Sequence, residues 1–320
     1  MNLRREHKTW SDYGNALARL MISGQSQSLT NSEQESIKKQ VSASYDDWAD
    51  DFALPFWNWG LFDERAHHQI EQKLGEYDRH GSDGYSEQLY YFTLHQVPSV
   101  EGTPRKILEV GSGAGAGLNF LSRNERQSTF VGVDLARLAV ARANARFSRP
   151  EVLHYVHGDA ENLPFGDAEF DVVLNVESSH NYPNLGAFFK EVGRVLKPGG
   201  HFSWVDFVTD ERKQELERCK ADAGHGLRWE NDSDISEQVK AAIRRRMKPQ
   251  STFRTQVRRA APVFTRFLAE PSAMIQYGST FIQHTTLLER ALPASALSNG
   301  GRVVHQINAY RHMLARNSNG

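Results

Sequence analysis

Residues 106–115 read Lys106-Ile-Leu-Glu-Val-Gly-Ser-Gly-Ala-Gly115, a short apolar strand that runs directly into a glycine-rich turn. Glycines at a strand-to-helix turn let the backbone approach a ligand closely, at a helix N-terminus suited to polar groups. Residues 117–122 read as the helix that follows. A second strand spans 128–134 and an alanine-rich helix 135–147. Residues 153–157 and 170–176 form a third and a fourth strand. A helix over 185–196 is ended by Lys197-Pro-Gly-Gly200, because proline and glycine cannot continue it. Residues 201–207 are a fifth strand. Strands that are apolar throughout and alternate with helices predict an α/β fold with a doubly wound, parallel sheet.

The flanks differ in character. Residues 22–31 read as a loop, and Ser32-Glu-Gln-Glu35 matches a capping box. Ile37, Val41, Tyr45 and Trp48 then form one apolar helical stripe. The stretch 52–62 is dense in aromatics, including Trp57, Trp59 and Phe62, with Pro55 and Gly60 breaking its regularity. Another helix is expected over 84–97. Residues 209–270 are charged and read as helical, and Gly301-Arg-Val-Val-His-Gln-Ile-Asn-Ala-Tyr310 reads as a strand returning to the sheet. The expected organisation is an N-terminal helical cap over 1–100, a core domain over 101–320, and a helical substrate-side insertion at 209–270.

By itself the glycine turn is ambiguous. Gly111-x-Gly113-x-x-Ala116 also satisfies the looser dinucleotide fingerprint, and Asp134 lies roughly 20 residues further on, where a ribose-binding acid is expected. NAD and S-adenosylmethionine are both open at that point. Three features separate them. Glu109 ends the first strand inside the crevice, where a carboxylate suits a cationic amino acid moiety and repels a pyrophosphate. Gly158-Asp-Ala-Glu-Asn-Leu-Pro-Phe165 places Asp159 after the third strand, within reach of an adenine amino group. Phe170-Asp-Val-Val-Leu-Asn-Val-Glu177 and Leu196-Lys-Pro-Gly-Gly200 complete the set.

In their order and spacing these motifs, over residues 105–207, closely resemble the class I S-adenosylmethionine-dependent methyltransferases. The resemblance implies a mostly parallel, seven-stranded Rossmann-like sheet and S-adenosylmethionine as cofactor. It assigns Glu109 and the backbone of Gly111, Gly113 and Gly115 to the methionine end. Asp134 would bond the ribose hydroxyls, and Leu135 would pack on the adenine. Asp159 and Ala160 would meet the adenine edge, and Asn175 and Val176 would pass beside the ribose and sulfonium. Glu177-Ser-Ser-His-Asn-Tyr-Pro183, Asn58-Trp59, Tyr90-x-x-Thr93-x-x-Gln96 and Ala309-Tyr310-Arg311 further resemble the bacterial natural-product and lipid methyltransferases that include the phthiotriolone dimycocerosate methyltransferases. That likeness implies that Tyr90 and Gln96 close over the cofactor. Residues 209–270 depart from it.

Methyl transfer is an in-line displacement, so the protein aligns the acceptor, excludes water and removes a proton where the acceptor carries one. Residues 176–183 leave the fourth strand where those groups belong. His180 is the candidate general base, because its unperturbed pKa is near 6.5. Glu177 is a candidate to orient His180, contact substrate or stabilise a cation. Trp57, Trp59 and Tyr182 are candidates for an apolar acceptor pocket, and core packing is the competing reading for the tryptophans. O-methylation of an apolar small molecule is the first expectation. C-methylation of a prenyl diphosphate is the alternative, with Glu177 beside a carbocation and Arg244, Arg245 and Arg246 gripping the anion. A non-catalytic S-adenosylmethionine-binding protein is the third reading.

Composition removes other classes. A formal net charge of −1 over 320 residues offers no general attraction to nucleic acid. The single cysteine, Cys219, excludes an intrachain disulfide and argues against a zinc–thiolate site. No carboxylate cluster stands by the acceptor segment, so no metal is expected. Met1-Asn-Leu-Arg-Arg-Glu-His-Lys8 is too polar for a signal peptide, and no apolar run approaches the ~20 residues of a membrane span. A cytoplasmic protein is expected, and the helical cap offers a surface for a homodimer.

Overall fold

The computed structural model of the chain describes residues 13–22, 28–51, 56–74, 82–98, 103–260, 274, 278–283 and 299–318. Four helices precede the sheet: α1 (residues 13–21), α2 (Asn31–Asp51), α3 (Glu64–Leu74) and α4 (Tyr85–His95). Then come β1 (Lys106–Val110), α5 (Ala116–Asn124), β2 (Thr129–Asp134), α6 (Arg137–Phe147), β3 (Leu153–His157) and β4 (Phe170–Val176). They are followed by α7 (Leu185–Val195), β5 (Leu196–Val208), α8 (Asp210–Ala221), β6 (Leu227–Asp234), α9 (Ser236–Arg246), α10 (Thr252–Ala260), α11 (Asn299–Gln306) and β7 (Ala309–Asn317).

The seven strands form one sheet in the order β3-β2-β1-β4-β5-β7-β6. β1 to β5 run parallel, and β7 lies antiparallel between β5 and β6. The parallel strands are apolar runs because both faces of the sheet are covered. Ile107, Leu108, Phe130, Val172, Val173 and Leu174 are buried completely. One face packs against α7, whose Leu185, Phe188, Phe189, Val192 and Val195 recur at helical spacing and bury fully. Asn184 caps that helix by accepting from the Ala187 N–H at 3.0 Å. The other face shares a core with the N-terminal helices, through Ile37, Val41, Trp59, Leu61 and Leu89. The strand order reverses between β1 and β4, and such a switch point opens a crevice at the carboxyl ends of the strands.

Three local readings shift, and one lies outside the described residues. The capping box that starts α2 is Thr30 with Glu33, two residues earlier than expected: Glu33 accepts from the Thr30 N–H at 2.9 Å, and the Glu33 N–H donates to Thr30 Oγ1 at 3.3 Å. Residues 227–234, expected to be helical, form β6, an edge strand whose polar residues stay on solvent. Residues 299–306 are helical, and the returning strand begins at Ala309. The side chain of Trp48 lies outside the described residues, while Ile37, Val41 and Tyr45 pack inward together.

Candidate active site

The turn after β1 is held shut by backbone and side chain together. The N–H groups of Gly111 and Ser112 both donate to Val133 O, at 2.8 and 3.0 Å. Gly111 has φ +79°, and a Cβ there would stand 1.8 Å from Ser178 Oγ, so only glycine lets the β4 loop close on this turn. Asp134, at the end of β2, accepts from the Gly113 N–H at 2.7 Å and the Ala136 N–H at 2.8 Å. Burial raises its carboxyl above the usual range, while those two N–H groups hold it down.

Glu109 is fully buried behind the turn. Its Oε1 accepts from Tyr90 Oη at 2.8 Å, and its Oε2 has no hydrogen-bond partner. Burial lifts this carboxyl to about 8, against the lowering effect of the Tyr90 bond. A buried carboxylate oxygen without a donor is a place for a cationic group.

These groups surround a cleft of about 910 Å³, part of it open to solvent. Gly111, Gly113, Gly115, Asp134, Leu135, Asp159 and Ala160 line it, as do Val176, Glu177, Tyr182, Trp57 and Tyr90. The glycine cradle, the acid at the end of β2 and the orphaned oxygen of Glu109 fit S-adenosylmethionine. Glu109 and Asn175 stand behind the lining. Asn175 Nδ2 donates to Val110 O at 2.8 Å and to Tyr182 Oη at 3.1 Å, so it ties β4 to β1. Gln96 caps the far end of α4, away from the lining.

Helix α2 roofs the cleft, which its pattern alone did not reveal. Lys38, Val41 and Tyr45 all line the cavity. Lys38 Nζ lies 2.7 Å from Asp159 Oδ2 and 2.7 Å from Glu161 Oε2. Burial alone would lower its pKa, but these two partners raise it. One turn on, Ser42 Oγ donates to Leu135 O at 3.1 Å, and a turn further Asp46 accepts from the Leu138 N–H at 2.7 Å. Lys38, Ser42 and Asp46 are spaced by four, so one stripe of the helix grips the loops after β3 and β2. A lysine whose partner is 121 residues away leaves no local trace in a sequence.

The loop after β4 holds the chemistry. Glu177 takes a left-handed φ of 45°, which a glutamate adopts only when its surroundings impose it. Its Oε1 accepts from the Trp59 N–H at 2.7 Å and from Tyr310 Oη. Its Oε2 accepts no hydrogen bond among the described residues. Burial lifts its carboxyl to about 8, opposed by the Tyr310 and Trp59 bonds. His180 stacks on Phe207 behind the lining. Asp206 binds its Nδ1 at 2.8 Å, its backbone N–H at 3.0 Å and the Ser179 hydroxyl at 2.9 Å. Nε2 of His180 meets Asn181 Nδ2 at 3.0 Å, and Asn181 stands on the cavity wall instead. Arg212, 2% exposed, donates to Ser179 O at 2.6 Å and Tyr182 O at 2.8 Å, which fixes the loop from below.

Two expected groups lie elsewhere for clear reasons. Trp59 is buried among Phe207, Phe281 and Tyr310, so it is core. The arginines of α9 do not converge on an anion. Arg246 is buried and spent on Asp83, at 2.7 and 2.9 Å, on Asn58 O at 3.0 Å and on Ser86 Oγ at 2.9 Å. Arg245 lies over the Phe62 ring, and Arg244 is exposed beside Glu237. Among the described residues, no three histidine, cysteine or acidic side chains cluster as metal ligands, and no helix is long and apolar enough to cross a membrane.

Residues 108–204 match the methyltransferase domain family. The chain is 45% identical over 139 residues to the fatty-acid O-methyltransferase of Mycolicibacterium smegmatis, covering 43% of this chain and 49% of that protein. It is 38% identical over 180 residues to a phthiotriol/phenolphthiotriol dimycocerosates methyltransferase of Mycobacterium tuberculosis, covering 56% and 63%. The chain thus spans about half to two thirds of the length of these curated relatives. Among solved structures it shares its fold with the cyclase SpnF, at a TM-score of 0.60 and 18% identity over 88% of this chain and 97% of that one. It also shares it with geranyl diphosphate C-methyltransferase from Streptomyces coelicolor, at a TM-score of 0.56 and 14% identity over 88% and 97%. One fold therefore carries a cyclase as well as methyltransferases, and the chemistry must be argued from the site.

Proposed function

We propose, for a chain that carries a methyltransferase domain with S-adenosylmethionine as its cofactor, that it methylates an oxygen of an apolar small molecule. The observation that carries this reading is convergence. The glycine turn, Asp134, Asp159 and Ala160 line the same cleft as Glu177, Tyr182, Phe56 and Trp57. Bound S-adenosylmethionine supplies a methyl group activated by its sulfonium. The chain's own task is alignment and proton removal. Gly111 to Gly115, Asp134 and Glu109 would hold the methionine and ribose of the cofactor, and Leu135, Ala160 and Val176 line the same cleft. Tyr90 keeps Glu109 in place. On transfer, the acceptor oxygen would bond the methyl carbon and the methyl–sulfur bond would break, its electron pair leaving with the thioether. The proton of a hydroxyl acceptor passes to Glu177, the carboxylate on the cavity wall.

In this reading His180 supports the loop rather than taking that proton itself. Its Nδ1–H and backbone N–H fasten the loop to Asp206, and its Nε2 is engaged by Asn181. Phthiotriol dimycocerosates and fatty acids, the molecules in the relatives' names, make a lipid-like acceptor the first class to test. The experiment is to incubate the full chain with methyl-labelled S-adenosylmethionine and a total lipid extract, and to read labelled products by mass spectrometry. Wild-type protein is expected to label a lipid, and Glu177→Gln to label far less. Tight cofactor binding with no labelled product in any extract would instead indicate a non-catalytic binding protein.

A further inference from the structure

The polar lining of the acceptor end is one-sided. Asn58 and Asn181 both line the cavity and are 3% and 6% exposed. Each leaves its side-chain Oδ1 buried with no hydrogen-bond partner. Asp206 stands at Nδ1 of His180, 2.8 Å away, and Asn181 places Nδ2 3.0 Å from Nε2 of the same ring. The same Nδ2 reaches Tyr45 Oη at 3.1 Å, which leaves Oδ1 without a donor. Asn58 is pinned through its backbone carbonyl by Arg246, while its carboxamide oxygen takes no bond.

Buried polar atoms are nearly always satisfied, so unsatisfied ones gathered in one cavity point to a ligand that brings donors. Among the described residues, no lysine or arginine lines this end. Lys38 is the one lysine or arginine among the described lining residues, and Asp159 and Glu161 both hold it. An anionic head group would give up its water without meeting a counter-charge from any described lysine or arginine of the wall.

We infer that Asn58 and Asn181 form the polar end of the acceptor subsite and select a neutral, hydrogen-bond-donating head group, an alcohol or diol on an apolar chain, against a carboxylate or a diphosphate. The assignment rests on the methyl-transfer reading above and narrows it. Site groups built to pair with a hydroxyl reject an analogue that cannot supply the same hydrogen bonds.

The test uses the full chain loaded with S-adenosylhomocysteine, so that binding is read without turnover. Dodecanol, dodecane diol and dodecanoic acid are titrated in parallel by calorimetry, and each is also offered with labelled S-adenosylmethionine. The alcohols are expected to bind at least roughly tenfold more tightly than the acid, the size of one or two hydrogen bonds. Asn58→Leu is expected to weaken alcohol binding roughly tenfold. It should leave S-adenosylhomocysteine affinity and the urea midpoint unchanged or higher, because that carboxamide oxygen has no bond to lose. Tighter binding of the acid, equal binding of acid and alcohols, no alcohol binding, or unchanged alcohol affinity in Asn58→Leu would each overturn the assignment. So would a destabilised Asn58→Leu, which would mark Asn58 as structural. Alcohols that bind as expected but are never methylated would refute methyl transfer and leave the subsite standing.

Discussion

Glu177→Gln separates two consequences of one buried carboxyl. Burial raises Glu177 from its ordinary 4.5 to about 8. A carboxyl raised in the folded state binds a proton that the unfolded chain has already released. Its stabilisation is therefore complete below pH 4.5 and is lost as pH rises through 8. The slope is ~1.4 kcal/mol per pH unit within that window. Between pH 6.5 and 8 the loss from this one group is roughly 1–2 kcal/mol, after allowing for half-ionisation at the top. The Glu177→Gln side chain can still accept from Trp59 and Tyr310 through its amide oxygen, but it has no proton to lose. Urea unfolding at pH 6.5, 7.25 and 8 is the assay. Glu87 and Glu109, raised to about 7 and 8, and His312, lowered to about 4, titrate alike in both proteins, so the difference isolates Glu177. Wild type should lose roughly 1–2 kcal/mol more than Glu177→Gln across this range. Parallel lines would show that Glu177 is ionised throughout and refute the burial argument. The same ionisation is what the reaction needs, so wild-type turnover should climb toward pH 8 while stability falls.

Gly117→Ala would place a Cβ 1.9 Å from the Tyr90 ring, which must then move and release Glu109. Overpacking and the lost bond together should lower stability by roughly 2–5 kcal/mol, with a weaker grip on S-adenosylhomocysteine, as read by urea unfolding and calorimetry. A change under ~1 kcal/mol would mean that the turn is more compliant than its packing implies. Lys38→Met should free the roof helix from Asp159 and Glu161. Backbone amides of α2 should then exchange hydrogen faster by the equivalent of about 2 kcal/mol while β1 to β4 stay protected, and unchanged exchange would show that Ser42 and Asp46 suffice to hold the helix.

The sequence by itself determined the parallel half of the sheet. β1, β2 and β4 are buried on both faces, so their hydrophobicity is continuous and their boundaries are visible. It also determined the glycine turn, because φ values near +80° at Gly111 and Gly115 leave little choice of residue. β6 escaped because an edge strand wet on one side looks like any charged segment. The capping box was off by two residues at Thr30, where several capping residues compete locally, and most of 301–310, read as strand, is helix before the strand that starts at Ala309. Residue type told less about the site. Glu177, His180 and Trp59 all looked alike as candidates from one sequence. The tertiary structure decided among them, since only Glu177 of the three lines the cavity, while Asp206 and Asn181 occupy the ring of His180 and the core takes Trp59. It also brought in Lys38, Asn58 and Asn181, whose significance lies in partners far along the chain or in the absence of one. Propensity is a property of neighbours in sequence, and satisfaction of a buried polar atom is a property of neighbours in space. The first carries a fold, and the second carries the acceptor chemistry.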